Sequence, residues 1–247
     1  MRRLAIALGI CLVGLVGSVE PASAVGVAPG PSYWDLIDKA NVDNSVVVAK
    51  AGEGRVRVED TAGVFFDDTA PCVAESPQAA VCEFHSVGLL GASIFDLGGG
   101  DDSLTVLSFP FLSLAMGGPG NDVIAAPPPE RIPGLPGSPF NDTKLRGGAG
   151  NDVLIGGGDE DDMRGGPGDD ACTGGAGSDV CGGGAGADSC AMGIGADACY
   201  LKDGRDLCVM GAGNDRCNGG KGRDRCVGGP DRDFAGDCEL VRGFERR

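Results

Sequence analysis

The sequence predicts an all-β fold: a parallel β-roll or β-helix solenoid of nonapeptide repeats with a cap at each end. Three observations predict it. Residues 147–236 divide into ten consecutive blocks of nine, from GGAGNDVLI to GGPDRDFAG, with no insertion or deletion. The sixth place is aspartate in every block: Asp152, Asp161, Asp170, Asp179, Asp188, Asp197, Asp206, Asp215, Asp224 and Asp233. The eighth place is Leu154, then Met163, then Cys172, Cys181, Cys190, Cys199, Cys208, Cys217 and Cys226, and finally Ala235. An acidic, glycine-rich disordered tract would also be full of Gly-Asp pairs. It would not hold them in one phase with an apolar or thiol place across ten blocks.

Each place answers a physical requirement. Glycines at places one, two and four let a tight turn take positive φ without a Cβ clash. Places seven to nine then form a short strand whose eighth side chain points inward by the two-residue alternation of strands. Two blocks make one coil, so successive blocks alternate between two parallel sheets, and coils stack at roughly 4.8 Å. One file of aspartates is then Asp152, Asp170, Asp188, Asp206 and Asp224, and the other is Asp161, Asp179, Asp197, Asp215 and Asp233. Carboxylates so spaced repel by roughly 1 kcal/mol per neighbouring pair in water and several times that near a protein surface. A hard divalent cation between turns removes the conflict. Calcium takes oxygen ligands in flexible geometry, and these turns offer carboxylates and glycine carbonyls.

This nonapeptide pattern resembles the RTX, or haemolysin-type calcium-binding, repeat family. The resemblance implies a β-roll in which the aspartates and turn carbonyls of stacked coils share each Ca2+. The carbonyls of Gly148, Gly150, Gly166, Gly168, Gly175, Gly177, Gly184 and Gly186 are the candidate backbone ligands. Two earlier segments add Asp102 and Asp122 to the carboxylate set. Family members usually carry leucine, isoleucine or valine at the eighth place, so the cysteines are a departure. Asp159 and Asp231 replace the glycine of place four, and Met192, Leu201, Lys202 and Met210 replace other turn glycines. Arg205, Arg223 and Arg232 set positive charge beside the turn aspartate, which predicts weaker sites toward the carboxyl end.

The chain opens like a removable export signal over residues 1–24. Arg2 and Arg3 precede an apolar run, Leu4 to Gly17, and Ala22-Ser23-Ala24 fits small-residue cleavage. The expectation is a secreted, extracellular protein with no membrane span after cleavage. The formal charge of −16 disfavours nucleic acid, whose phosphates demand lysine and arginine, and favours calcium ions as partners. No protein or surface partner is specified. Eleven cysteines, ten of them after the signal, suit an oxidising compartment. Cys72 and Cys82 are expected to close a loop containing Pro77. For Cys172 through Cys226, with Cys238 just beyond, pairing along a sheet and pairing across the core both remain open, as do buried thiols acting as small hydrophobes.

Residues 25–96 read as an amino-terminal cap and irregular β coils. They hold a Gly26–Pro31 tail, a short capping helix from Tyr33 to Ala40, and strands at Val46–Val48 and Val56–Val58. Residues 97–146 read as degenerate repeats. Leu97–Thr105 matches at Asp102 and Leu104, and Gly117–Ala125 matches at Asp122 and Ile124. Ser103–Met116 is apolar and strand-like, Pro127–Pro139 reads as a surface loop, and Ser138–Arg146 re-enters register with Leu145 inward. Residues 237–247 should cap the far end through Leu240, Val241 and Phe244.

Catalytic signatures are missing. The single histidine, His85, rules out a His-Glu-x-x-His zinc site, and no Gly-x-Ser-x-Gly elbow occurs. The expected function is therefore non-enzymatic: an exported calcium-binding β-roll that the ion folds outside the cytoplasm. A calcium-dependent adhesive or matrix protein and a small secreted hydrolase are the alternatives. RTX proteins usually leave through a one-step channel with an uncleaved terminal signal, so the conventional leader is a second departure.

Overall fold

A computed structural model describes residues 25–29, 33–37, 43–52, 55–60, 64–66, 72–76, 78–83, 92–107, 112–126 and 142–243. The predicted signal, His85, the Pro127–Pro139 segment and Phe244 lie outside them. The described residues form strands, turns and bends with no helix, and the strands fall into two sheets. Through the repeats every pairing is parallel, and the chain visits the two sheets alternately.

The repeat register is the pairing register. In one sheet Val153 faces Ala171, which faces Ser189, which faces Leu207. In the other, Asp162 faces Val180 and Val180 faces Ala198. Like places therefore stack on like places at each step of eighteen residues. The two degenerate segments stack in the same way: Ile124 faces both Leu104 and Leu154. The apolar stretch after Ser103 divides into two strands, Ser103–Val106 and Leu112–Pro119, one in each sheet.

Strands run longer than three residues. Val153–Gly158, for example, continues through places one to three of the next block, so alternation also turns place one inward. Leu104, Ile124, Leu145, Leu154 and Met163 are fully buried, and the cysteines of place eight continue their file. Met192, Leu201 and Met210 are likewise fully buried. These three are core residues at place one, which corrects their reading as turn defects. Close packing supplies the reason. Cysteine fills less space than leucine, and a larger side chain at place one restores the volume. The Cys208 thiol meets Met210 Sδ at 2.8 Å.

Three expectations about the ends need correction. Tyr33–Ile37 is a strand, not a helix; it pairs in parallel with Ala92–Asp96 and antiparallel with Val25–Pro29. The Gly26–Pro31 tail is thus in part a strand as well. Both extend the sheet because parallel main-chain edges in the first coil need partners. At the far end Leu240–Arg242 is a strand stacked on Arg225–Val227, with Leu240 54% and Val241 47% exposed. It is the last coil itself and not an apolar lid.

The expected amino-terminal strands are present as Ser45–Gly52 and Arg55–Asp60. They form an antiparallel hairpin, and the first of them stacks in parallel on Ser103–Val106. Cys72–Ser76 and Ala79–Glu83 continue that sheet antiparallel, with Cys72 and Cys82 directly opposite in register.

Candidate metal centre in the stacked turns

Every sixth-place aspartate from Asp102 to Asp233 is buried, at most 3% exposed. The cause is local. Each carboxylate folds back inside its own turn, and where place one is glycine a β-carbon there would overlap it, as at Gly147 with Asp152 and Gly183 with Asp188. Asp197, Asp206 and Asp215 are equally buried with Met192, Leu201 and Met210 at that place.

Each of these carboxylates then binds its neighbouring coil. The N–H of Asp152 donates to Asp170 Oδ1 at 2.8 Å, that of Asp170 to Asp188 Oδ1 at 2.9 Å, and that of Asp188 to Asp206 Oδ1 at 2.8 Å. The other file runs Asp161 to Asp179, Asp197, Asp215 and Asp233 by the same bond. The two predicted files are thus real hydrogen-bonded ladders, and the first continues back through Asp122 to Asp102.

Three ladder ends escaped the sequence reading. Asn44 donates its N–H to Asp102 Oδ1, Thr143 donates its own to Asp161 Oδ1, and Glu239 accepts from the Asp224 N–H. Thr143 falls on place six when the register is run back nine residues from Asp152, which was the available signal; Asn44 and Glu239 fall outside the nine-residue step and carried none. An outer ladder at place five was also missed. The Asn121 N–H donates to Asp101 Oδ1, Asn151 N–H to Asn121 Oδ1, and Asp169 N–H to Asn151 Oδ1, each at 2.8 Å.

The second carboxylate oxygen has no such partner. The Oδ2 atoms of Asp122, Asp152, Asp161, Asp170, Asp179, Asp188, Asp197, Asp206, Asp215 and Asp224 are buried without a hydrogen bond. Asp233 differs, because its Oδ2 accepts the Gly229 N–H at 2.9 Å. A buried, unpaired anionic oxygen is costly, and a file of them is a standing demand for positive charge. Burial raises the Asp161 carboxyl to about 8, that of Asp122 to about 7, and those of Asp152, Asp179 and Asp188 to about 6. Desolvation is the main cause, the N–H bond from the adjacent coil opposes it, and nearby carboxylates reinforce it. Asp170, Asp197, Asp206 and Asp215 are displaced upward for the same reasons.

Carbonyls complete an all-oxygen surrounding. Gly166 and Gly168 have φ of +134° and +139°. A β-carbon on either would overlap the carbonyl oxygen of Gly148 or Gly150 in the preceding coil. The same relation links Gly184 to Gly166, Gly186 to Gly168, Gly175 to Gly157, and Gly177 to Asp159. Place-two and place-four carbonyls thus point along the stack into the next turn. Hard anionic and carbonyl oxygens with adaptable spacing suit calcium.

The sequence pattern of the RTX calcium-binding nonapeptide repeat, in four copies, matches residues 137–172, 173–190 and 211–235. These are RTX repeats. No curated protein and no solved structure matches the chain. The matched stretches are calcium-binding repeats set in a β-roll, and the roll extends beyond them. The skipped stretch 191–210 holds Met192, Leu201, Lys202 and Met210, where the turn pattern departs most. The RTX ladder nevertheless runs through it, from Asp188 and Asp197 to Asp206 and Asp215. Asp159, Lys202 and Asp231 stand where RTX turns carry glycine, and all three keep positive φ, at 65°, 77° and 85°.

Cysteines occupy the core of the RTX roll. Cys181 and Cys190 are bridged across it, nine residues apart, with a Cα separation of 6.8 Å. Cys226 is within bonding distance of both Cys217 and Cys238. Cys172, Cys199 and Cys208 are buried thiols. Of the two open pairing schemes the structure takes the one across the core. Burial pushes the Cys172 thiol up to about 12. No helix among the described residues is long and apolar enough to cross a membrane.

Proposed function

We propose that the protein is an exported, non-catalytic calcium-binding rod whose fold is completed by Ca2+ held between stacked turns outside the cytoplasm. The observation that carries this is the double file of buried aspartate Oδ2 atoms lacking partners. Asp102, Asp122 and the ten aspartates of the regular blocks would hold the ions together with the place-two and place-four carbonyls. Asp233, with its Oδ2 engaged by Gly229, would contribute least. Calcium supplies the charge that the files lack, while the chain supplies a turn that fixes each carboxylate by its Oδ1 and leaves Oδ2 for the ion.

Binding energy then becomes folding energy. A ligand at 100 times its Kd stabilises by about 2.7 kcal/mol per site, so three or so occupied sites match the stability of an ordinary domain, about 5–15 kcal/mol. Extracellular calcium modules work near 10⁻⁴ to 10⁻³ M, far above cytosolic levels, so the chain would stay open before export. The cross-core disulfide and the leader-like residues 1–24 support that location. The crosslink Cys72–Cys82 belongs to the same proposal, resting on their opposed backbone register.

The test is calcium calorimetry with circular dichroism on the mature chain. Coil-like spectra in chelator, gaining strand signal with millimolar calcium and little with magnesium, are expected. A spectrum and melting temperature indifferent to calcium would falsify the reading.

A further inference from the structure

The carboxyl-terminal end of the core holds three sulfurs where one disulfide uses two. Cys217 lies in one sheet, Cys226 in the other, and Cys238 follows the turn after Gly236. Their Sγ atoms lie within 4.8 Å of one another. The Cα atom of Cys226 is 6.4 Å from that of Cys217 and 6.1 Å from that of Cys238. Both separations fall inside the range of roughly 4.4–6.8 Å that disulfides span. A sulfur forms one disulfide, so these two bonds are alternatives. The spare sulfurs, Cys217 and Cys238, are 3.9 Å apart.

Exposure distinguishes the alternatives. Cys217 is 1% exposed and sealed between the sheets, whereas Cys238 is only half-buried beside the last coil. A second trio, Cys172, Cys181 and Cys190, has the same sulfur spacing but no exposed member. Among the described residues, only the carboxyl-terminal trio combines two bonding choices with a partly exposed sulfur-bearing residue.

The geometry points to a disulfide-exchange site at Cys217, Cys226 and Cys238, in which Cys226 bonds one neighbour at a time. When Cys238 is the spare thiol, it is a modification site for small external disulfides of the glutathione class. In the exchange the Cys238 thiolate attacks Cys226 Sγ, and a Cys226–Cys238 bond forms as the Cys217–Cys226 bond breaks. Cys217 leaves as thiolate and takes the proton that Cys238 gave up, so no oxidant or reductant is consumed. In the modification the Cys238 thiolate attacks one sulfur of the external disulfide. A mixed disulfide forms and the other half leaves as thiolate, taking the proton.

The isomers differ in what they tie. Cys217–Cys226 joins the two sheets. Cys226–Cys238 anchors the last coil, which otherwise rests on hydrogen bonds such as Gly228 N–H to the Arg242 carbonyl at 2.7 Å and the Asp224 N–H to Glu239. Modifying Cys238 therefore locks the chain with its final coil untethered.

Trypsin separates the three sulfurs, because Arg216, Lys221, Arg225, Arg232 and Arg242 place them on peptides 217–221, 226–232 and 233–242. Non-reducing mass mapping of acid-quenched, calcium-loaded full chain should yield both linkages, 217–226 and 226–238. Incubation with oxidised glutathione should place an adduct on peptide 233–242 and raise the share of the 217–226 linkage. Cys238→Ser should retain only 217–226 and take no adduct, and Cys217→Ser should retain only 226–238, each with wild-type circular dichroism in calcium. One linkage alone in the wild type, unmoved by glutathione, overturns the proposal. So does an adduct on peptide 217–221.

Discussion

Asp188 faces two opposed demands. Its Oδ1 holds the Asp170 N–H, while its Oδ2 is a buried anion between Asp170 and Asp206. Asp188→Asn keeps the acceptor and removes the charge. Without calcium this variant should resist urea better than wild type. With calcium its affinity should drop by at least the ~10-fold that altering an outer-shell partner already costs. Asp233→Asn should lose less, since the Gly229 N–H occupies its Oδ2 and its file ends there. Equal losses in a calcium titration would contradict the file. Lys202 sets a different test: at φ +77° it carries a side chain where its stacked neighbours are glycine. Lys202→Gly should raise stability by about 1 kcal/mol, read as a higher melting temperature.

At the scale of the turn and strand, the carboxylate file fixes the response to pH. The folded, metal-free chain holds protons on Asp122, Asp152, Asp161, Asp179 and Asp188 up to about pH 6–8, while the unfolded chain releases them near the ordinary value of 3.8. Between those limits the folded form binds more protons, so its stability falls as pH rises. Chelated protein should be most resistant to urea near pH 4 and lose that resistance by pH 8. Protons compete with the cation for the same oxygens, so calcium affinity should change the other way, weakening as pH drops through that window. Urea melts at several pH values with and without chelator check both signs. Gly166→Ala probes the turn itself, because a methyl group would overlap the Gly148 carbonyl. It should abolish the calcium-induced strand signal of the adjoining coils, while Ala171→Gly, on the outer face, should not.

Strands and turns were unequally legible. Leu154, Met163 and the cysteine file are inward as alternation demands, and both aspartate files stack as the eighteen-residue coil requires. Met192, Leu201 and Met210 misled because place one reads as part of the turn, whereas strands of about six residues carry the alternation one step further. Tyr33–Ile37 misled because a helical start signal is local, while its strand is imposed by Ala92–Asp96, far along the chain.

For the whole molecule, a chain of formal charge −16 that stacks its carboxylates inside must neutralise them to stay closed. Reduction of the cross-core bridge should widen the apo ensemble and so lower calcium affinity, measured by calorimetry with and without reductant. The sequence by itself determined the repeat, the inward file, the turn that needs glycine and the kind of cation that suits it, because each follows from chemistry repeated at a fixed step. Only the tertiary structure decided which cysteines meet, how far the ladder runs to Asn44, Thr143 and Glu239, and which carboxylate oxygen is left without a partner. Those depend on distances between coils, and a register assigns neighbours without measuring how close they lie.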